Sequence, residues 1–207
     1  VLGVTGTDGK TTTVNLIYEI LTVCGIRAGM ISTVNAVIGN ERIDTGFHVT
    51  TPESPKIQTL LRKMVERGLT HVVIEATSHG LEQHRVTACD FDIGIITNIT
   101  HEHLDYHGNY DQYVQAKAAL LTSLEITKAK SQGNYRTAIL NKDDTSYKLL
   151  LKILKQEKYQ SIEVITYGVN EKADIMSREI HNLDNGLEFI LKINDKDYKI
   201  QTPLIGE

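Results

Sequence analysis

At 207 residues the chain is long enough to bury a substantial core, and 41% hydrophobic with 23% charged residues is the composition of an ordinary globular protein. A formal net charge of -4, with no lysine- or arginine-rich block, gives no electrostatic basis for nucleic acid as a partner. No apolar run approaches the roughly 18 residues of a membrane span and nothing resembles a signal peptide, so membrane insertion is not expected. Cys24 and Cys89 lack metal-ligand spacing and read as buried thiols of a reduced, cytoplasmic protein.

VLGV is a short apolar strand running into Thr5-Gly6-Thr7-Asp8-Gly9-Lys10-Thr11-Thr12. Strand, glycine loop, lysine and hydroxyl in that order read as a phosphate cradle. Backbone N–H groups and a helix N-terminus face anionic oxygens, Lys10 reaches β/γ-phosphates, and the Thr11 hydroxyl can bind Mg²⁺. The spacing is not that of a Walker A loop, which would place glycine where Val4 stands; the alternative is a tight strand-to-helix turn with a chance lysine. Val14, Ile17, Tyr18, Leu21 and Cys24 then recur at helical spacing, with Gly25 to close the helix. Gly39-Asn40 marks a hairpin turn, and Thr50 to Pro55 opens a helix expected over Pro55 to Arg67 with Ile57, Leu60, Leu61, Met64 and Val65 as its apolar face.

Thr70 to Ala76 and Phe91 to Thr97 are continuous β-branched runs that read as buried parallel strands, and the second opens onto THEHLDYHG. A helix over Tyr110 to Leu124, a strand over Arg136 to Leu140, the turn Asn141 to Asp144, a helix through Lys155 and a strand over Ile162 to Tyr167 complete the alternation. The expectation is an α/β fold with a mostly parallel sheet of about six strands flanked by helices. From residue 171 to 207 the pattern changes to short strands without helices, with turns at Asp184-Asn185-Gly186 and Asn194-Asp195-Lys196, so a small antiparallel sheet should follow the residue 1–170 core. The chain opens without Met inside a strand and stops at LIGE just after another, which reads as a piece of a longer protein.

Glu75 falls at the carboxyl end of its strand, where ligands of open α/β sheets gather; it meets a cation there or caps the following helix. His101, His103 and His107 share one loop with Glu102 and Asp105, but HEHLDYH is no helix-borne HExxH, and each histidine alone reads equally as a satisfied polar residue. Lys117 lies on the apolar stripe of its helix with Tyr110, Tyr113, Val114 and Leu121. An inward amine either loses its charge to become reactive, finds an interior partner, or snorkels from the stripe's edge. Thr77 to Leu81 with Gln83-His84-Arg85 offers hydroxyls, an amide and a guanidinium suited to carboxylate or phosphate groups. Asn141 and Asp144 contact a nucleoside or cap the next helix.

TGTDGKTT, TTPES, EATSHGLEQHR, TNITHEHLDYHG, the lysine of YVQAKAALL and NKDD together resemble, in that order, the central ATPase domain of the Mur ligases. Within the family the combination is most similar to members that add the third amino acid to UDP-N-acetylmuramoyl-L-Ala-D-Glu in peptidoglycan synthesis. The resemblance implies an ATP-dependent acid–amino-acid ligase working through an acyl phosphate, with ATP and Mg²⁺ as cofactors. Gly6, Thr7, Asp8, Gly9, Lys10, Thr11, Thr12 and Asn141 would bind the nucleotide. Thr11, Glu75, His103 and a carbamylated Lys117 would hold cations, and Lys10, Lys117 and His103 would carry catalysis. Thr50, Thr51, Thr77, Gln83 and Arg85 would grip the UDP-muramoyl peptide. It further implies that flanking N- and C-terminal domains are needed for the reaction. Asp8 departs from the family's usual Asn and places an acid beside the phosphates. Two other readings are a folylpolyglutamate-synthase-like or cyanophycin-synthetase-like ligase, and a non-catalytic nucleotide-binding module.

Overall fold

Strands alternate with helices from Leu2 to Gly168, apart from three successive strands between Ala28 and Asp44, in the computed structural model, which describes residues 1–45, 51–100, 107–131 and 133–204. The order is β1 (Leu2–Thr5), α1 (Lys10–Val23), β2 (Ala28–Ile31), β3 (Asn35–Ile38), β4 (Glu41–Asp44), α2 (Ser54–Glu66), β5 (His71–Glu75) and α3 (Ser78–Glu82). It continues through β6 (Ile93–Ile96), α4 (Tyr110–Thr122), β7 (Thr137–Asn141), α5 (Tyr147–Leu154) and β8 (Glu163–Gly168) to β9 (Ile175–Leu183), β10 (Gly186–Ile193) and β11 (Lys196–Thr202).

All strands join one sheet in the order β11-β10-β9-β8-β7-β6-β1-β5-β2-β3-β4. Its centre, β2-β5-β1-β6-β7-β8, is parallel, as the alternating pattern requires. The antiparallel strands β9 to β11 extend this same sheet, because β9 continues alongside β8 through Tyr167↔Ile175 and Gly168↔Met176. The β10–β11 turn is set by Asn194 and Asp195, whose φ values of 49° and 61° suit a tight hairpin.

Alternate residues of the central strands face opposite layers. Val4, Met30, Val73 and Ile95 pack with α1, while Ile31, Ile74, Ile96 and Leu140 join a larger cluster with α2, α4 and α5. Gly3 helps seat α4: a Cβ there would lie 2.6 Å from Leu120 Cδ1 and 2.8 Å from the Phe91 ring, so a larger residue would push both side chains aside. One turn earlier on that helix, Lys117 is thereby carried beneath the loop after β1. Two expectations fail locally. Cys24 is exposed because it is the C-cap of α1, beyond the last turn that faces the sheet. Val65 is exposed because the buried face of α2 is Ile57, Leu60 and Met64, one step away around the helix.

Candidate active site at the carboxyl edge of the sheet

Parallel pairing lines up the carboxyl ends of β1, β5 and β6, with Val4 beside Glu75 and Thr5 beside Ile96. The loop Gly6 to Gly9 is fixed from the neighbouring strand end. Thr7 N–H donates to the Asn98 carbonyl (2.8 Å), Asp8 N–H to Asn98 Oδ1 (2.9 Å), and Thr97 Oγ1 donates to the Asp8 carbonyl (2.6 Å). Gly6 has no alternative there, since a Cβ would fall 1.9 Å from Thr97 Oγ1. With the loop pulled toward β6, Gly9 enters α1 at φ 75° without a side-chain cap. The first-turn N–H groups of the helix have no intrahelical acceptors and point out of the loop, which is the geometry that receives phosphate oxygens. Lys10 Nζ folds back to the Thr7 carbonyl at 2.7 Å. Asp8 and Thr12 are exposed. The unusual acid is therefore held by its backbone while its side chain faces solvent.

Thr11 and Glu75 meet: Thr11 Oγ1 donates to Glu75 Oε2 at 2.9 Å. Glu75 is only 1% exposed, and Thr33 grips it twice, by N–H to Oε2 (3.0 Å) and by hydroxyl to Oε1 (2.7 Å). Thr33 is held in turn, because Thr45 Oγ1 bonds the Ser32 and Thr33 carbonyls at 3.1 and 2.9 Å. Three donors on a carboxylate with about four lone-pair positions leave about one uncommitted. Because Thr11 gives its proton to Glu75, its lone pairs are also available, so the pair forms an all-oxygen donor set of the kind hard divalent cations prefer. Among the described residues no three His, Cys, Asp or Glu side chains converge on one point.

Lys117 is 1% exposed, its Nζ donating to the Gly6 carbonyl at 2.6 Å and lying 4.5 Å from the Tyr113 ring centre. One interior partner is thus the phosphate loop itself. The third group is built around Thr51 and Thr77. Their hydroxyls are 2.9 Å apart, Thr77 N–H donates to Thr51 Oγ1 (2.9 Å), and Thr77 Oγ1 caps α3 by accepting from Gly80 N–H (3.1 Å). Arg85 Nη1 donates to the Thr51 carbonyl (2.7 Å), while its Nε and Nη2 fork onto Gln83 Oε1 at 2.9 and 2.6 Å. Asn141 sits at the end of β7, donating to the Thr97 carbonyl (3.1 Å) and accepting from Asp143 N–H (3.0 Å). Beside it, Tyr167 donates to the same carbonyl (3.1 Å), and burial, then Asp144 and Asp143, push its phenol up to about 12.

The structure therefore brings together Gly6 to Thr11, Glu75 and Lys117, with Asn141 joined to them through Thr97 and the Thr51–Thr77–Arg85–Gln83 cluster beyond the end of β5. Thr50 and His103 lie outside the described residues. Sequence reasoning missed the roles of Thr33 and Tyr113; Thr33 lies two residues beyond the parallel strand β2, so its place at a carboxyl end was the available signal.

A glycine loop opening a helix, a buried carboxylate beside it and an inward lysine, all at the carboxyl edge of a parallel sheet, define a phosphate-loop α/β domain. More narrowly, the chain belongs to the Mur ligase middle domain family, whose model matches residues 4–207. Two curated relatives are UDP-N-acetylmuramoyl-L-alanyl-D-glutamate--2,6-diaminopimelate ligases. The one from Geobacillus thermodenitrificans (strain NG80-2) is 36% identical over 206 residues, 99% of this chain and 40% of its own length. The one from Chlamydia caviae is 37% identical over 207 residues, 100% and 40%. A solved structure of a ligase of the same description superposes with TM-score 0.84 at 29% identity, over 99% of this chain and 39% of that one. The apo form of L. casei FPGS shares the fold, with TM-score 0.73 at 16% identity over 99% and 53%. The chain spans about 40% of the length of these curated relatives.

Proposed function

We propose that the chain is the nucleotide-binding part of an ATP-dependent ligase adding the third amino acid to UDP-N-acetylmuramoyl-L-Ala-D-Glu in the cytoplasm. The observation that carries this reading is the contact of Thr11 with buried Glu75 directly behind a loop whose carbonyl also holds Lys117. A substrate carboxylate oxygen attacks the γ-phosphorus of ATP and the bond to ADP breaks; the incoming amine nitrogen then attacks the acyl carbon, expelling inorganic phosphate and losing a proton to form the amide. For this the chain supplies position and charge. The α1 first turn and Lys10 orient the phosphates, Thr11 and Glu75 provide oxygen ligands, and Thr51, Thr77, Gln83 and Arg85 offer donors to the anionic muramoyl peptide. Magnesium, when bound, would neutralise charge developing on the transferred phosphate. Asn141, at the end of β7, would meet the adenine edge. At Lys117, addition of CO₂ to the neutral amine, with release of a proton, would give a carbamate, an anion able to support a cation. His103 would complete the set.

Because the chain covers 40% of its relatives' length, the uridine and amino-acid sites are assigned to flanking domains and the reaction to the full-length protein. The test is phosphate release from ATP by that protein. Release should require both UDP-muramoyl dipeptide and an amino acid; release driven instead by a folate would overturn the reading.

A further inference from the structure

We propose that His107 is a positioning residue, tying the α3 segment that carries Thr77 to the phosphate loop through Tyr113; its kinetic consequences rest on the ligase reading above. His107 is 5% exposed, and both ring nitrogens face α3: Nε2 lies 3.1 Å from Ser78 Oγ and Nδ1 3.4 Å from Glu82 Oε2. With the proton on Nδ1, toward the Glu82 carboxylate, Nε2 would accept from the Ser78 hydroxyl; in either protonation state the two contacts orient the plane of the ring. The face of that ring is set against Tyr113, with ring centres 5.0 Å apart. Tyr113 is fully buried, and its hydroxyl lies 3.3 Å from Thr7 Oγ1 in the phosphate loop. Thr7 Oγ1 also accepts from Thr100 N–H at 3.0 Å.

Ser78, His107, Tyr113 and Thr7 thus form a buried bridge between α3 and the phosphate loop beyond the last β1–β5 backbone contact, Ala76 N–H to the Val4 carbonyl. At one end, Ser78 follows Thr77, the hydroxyl of the threonine–arginine cluster. At the other, the ring of Tyr113 also supports Lys117. If packing were the only requirement, an apolar side chain would fill the same volume without the desolvation cost of two ring nitrogens. The polar contacts instead set the angle at which α3 faces the loop. Misplacing substrate against phosphate by about 1 Å costs on the order of 100-fold in rate.

The test uses the full-length protein with His107→Ala, His107→Gln and His107→Asn. Amide hydrogen exchange should accelerate in His107→Ala both at Thr77 to Glu82 and at Thr5 to Lys10; acceleration confined to α3 would overturn the bridge. In turnover assays His107→Ala should lower kcat about 10- to 100-fold with the KM for ATP within about threefold. The Gln variant, whose amide reaches the Nε2 position, should recover most of the loss and the Asn variant should not. Equal defects in Gln and Asn, or an unchanged kcat in His107→Ala, would overturn the positioning role. Absence of turnover with UDP-muramoyl dipeptide in the wild type would instead sink the ligase reading, and the exchange pattern would still decide the bridge.

Discussion

Replacing Glu75 separates the carboxylate's part in the fold from its part in cation binding. Glu75 accepts from Thr11 Oγ1, Thr33 N–H and Thr33 Oγ1 while only 1% exposed. In Glu75→Gln the remaining oxygen can take the Oε2 position, accepting from Thr33 N–H and Thr11. The new amide then faces the Thr33 hydroxyl, which rotates to accept. All three partners stay bonded, and loss of charge assistance is offset by removal of a buried charge, so stability without divalent ions should change by less than about 1 kcal/mol. Glu75→Ala leaves a buried N–H unpaired and opens a cavity, costing about 3 kcal/mol, or a fall in Tm of about 6–12 °C for a chain of this size. Thermal unfolding with and without Mg²⁺ plus a non-hydrolysable ATP analogue reads both effects. Wild type should gain stability with the ion, and both variants should lose that gain. A Gln variant as unstable as Ala, or one that keeps the wild-type Mg²⁺ response, would refute the reasoning.

Lys117→Ala should abolish ligase turnover, and added short carboxylic acids should restore part of it if a carbamate is the working group; undiminished activity without them would exclude that role. Asp143 accepts from the N–H groups of Val169, Asn170 and Glu171. Slight burial works the other way, but these bonds hold its carboxyl below the usual range. A depressed folded-state value means that its stabilisation is complete above the unfolded pKa of about 3.9 and is lost as pH falls through the lower folded value. Because solvent screens these exposed bonds, Asp143→Asn should lose less than about 1 kcal/mol at pH 7 and show a shallower loss of stability than wild type below about pH 4, measured by urea unfolding. Alkylation of native protein should modify Cys24 and spare Cys89, whose thiol is pushed up to about 12 by burial and then by Asp90; mass spectrometry after iodoacetamide counts the labels, and two would contradict the packing around Cys89.

Sequence periodicity by itself determined the parallel α/β core, because strands buried on both faces must be continuously apolar and a phosphate loop needs its glycines and lysine in one short stretch. It also placed Glu75 at a strand end and Lys117 on a buried stripe, since both follow from local spacing. Tertiary structure alone decided the pairing of Thr33 with Glu75, the Tyr113–Thr7 contact and the seat of His107 on Ser78. Those contacts join residues 42, 106 and 29 positions apart, and no helical or strand period records such distances. The same holds for Asp8. Its charge was legible as an anomaly, whereas its outward direction depends on Thr97 and Asn98 holding the loop backbone from another strand.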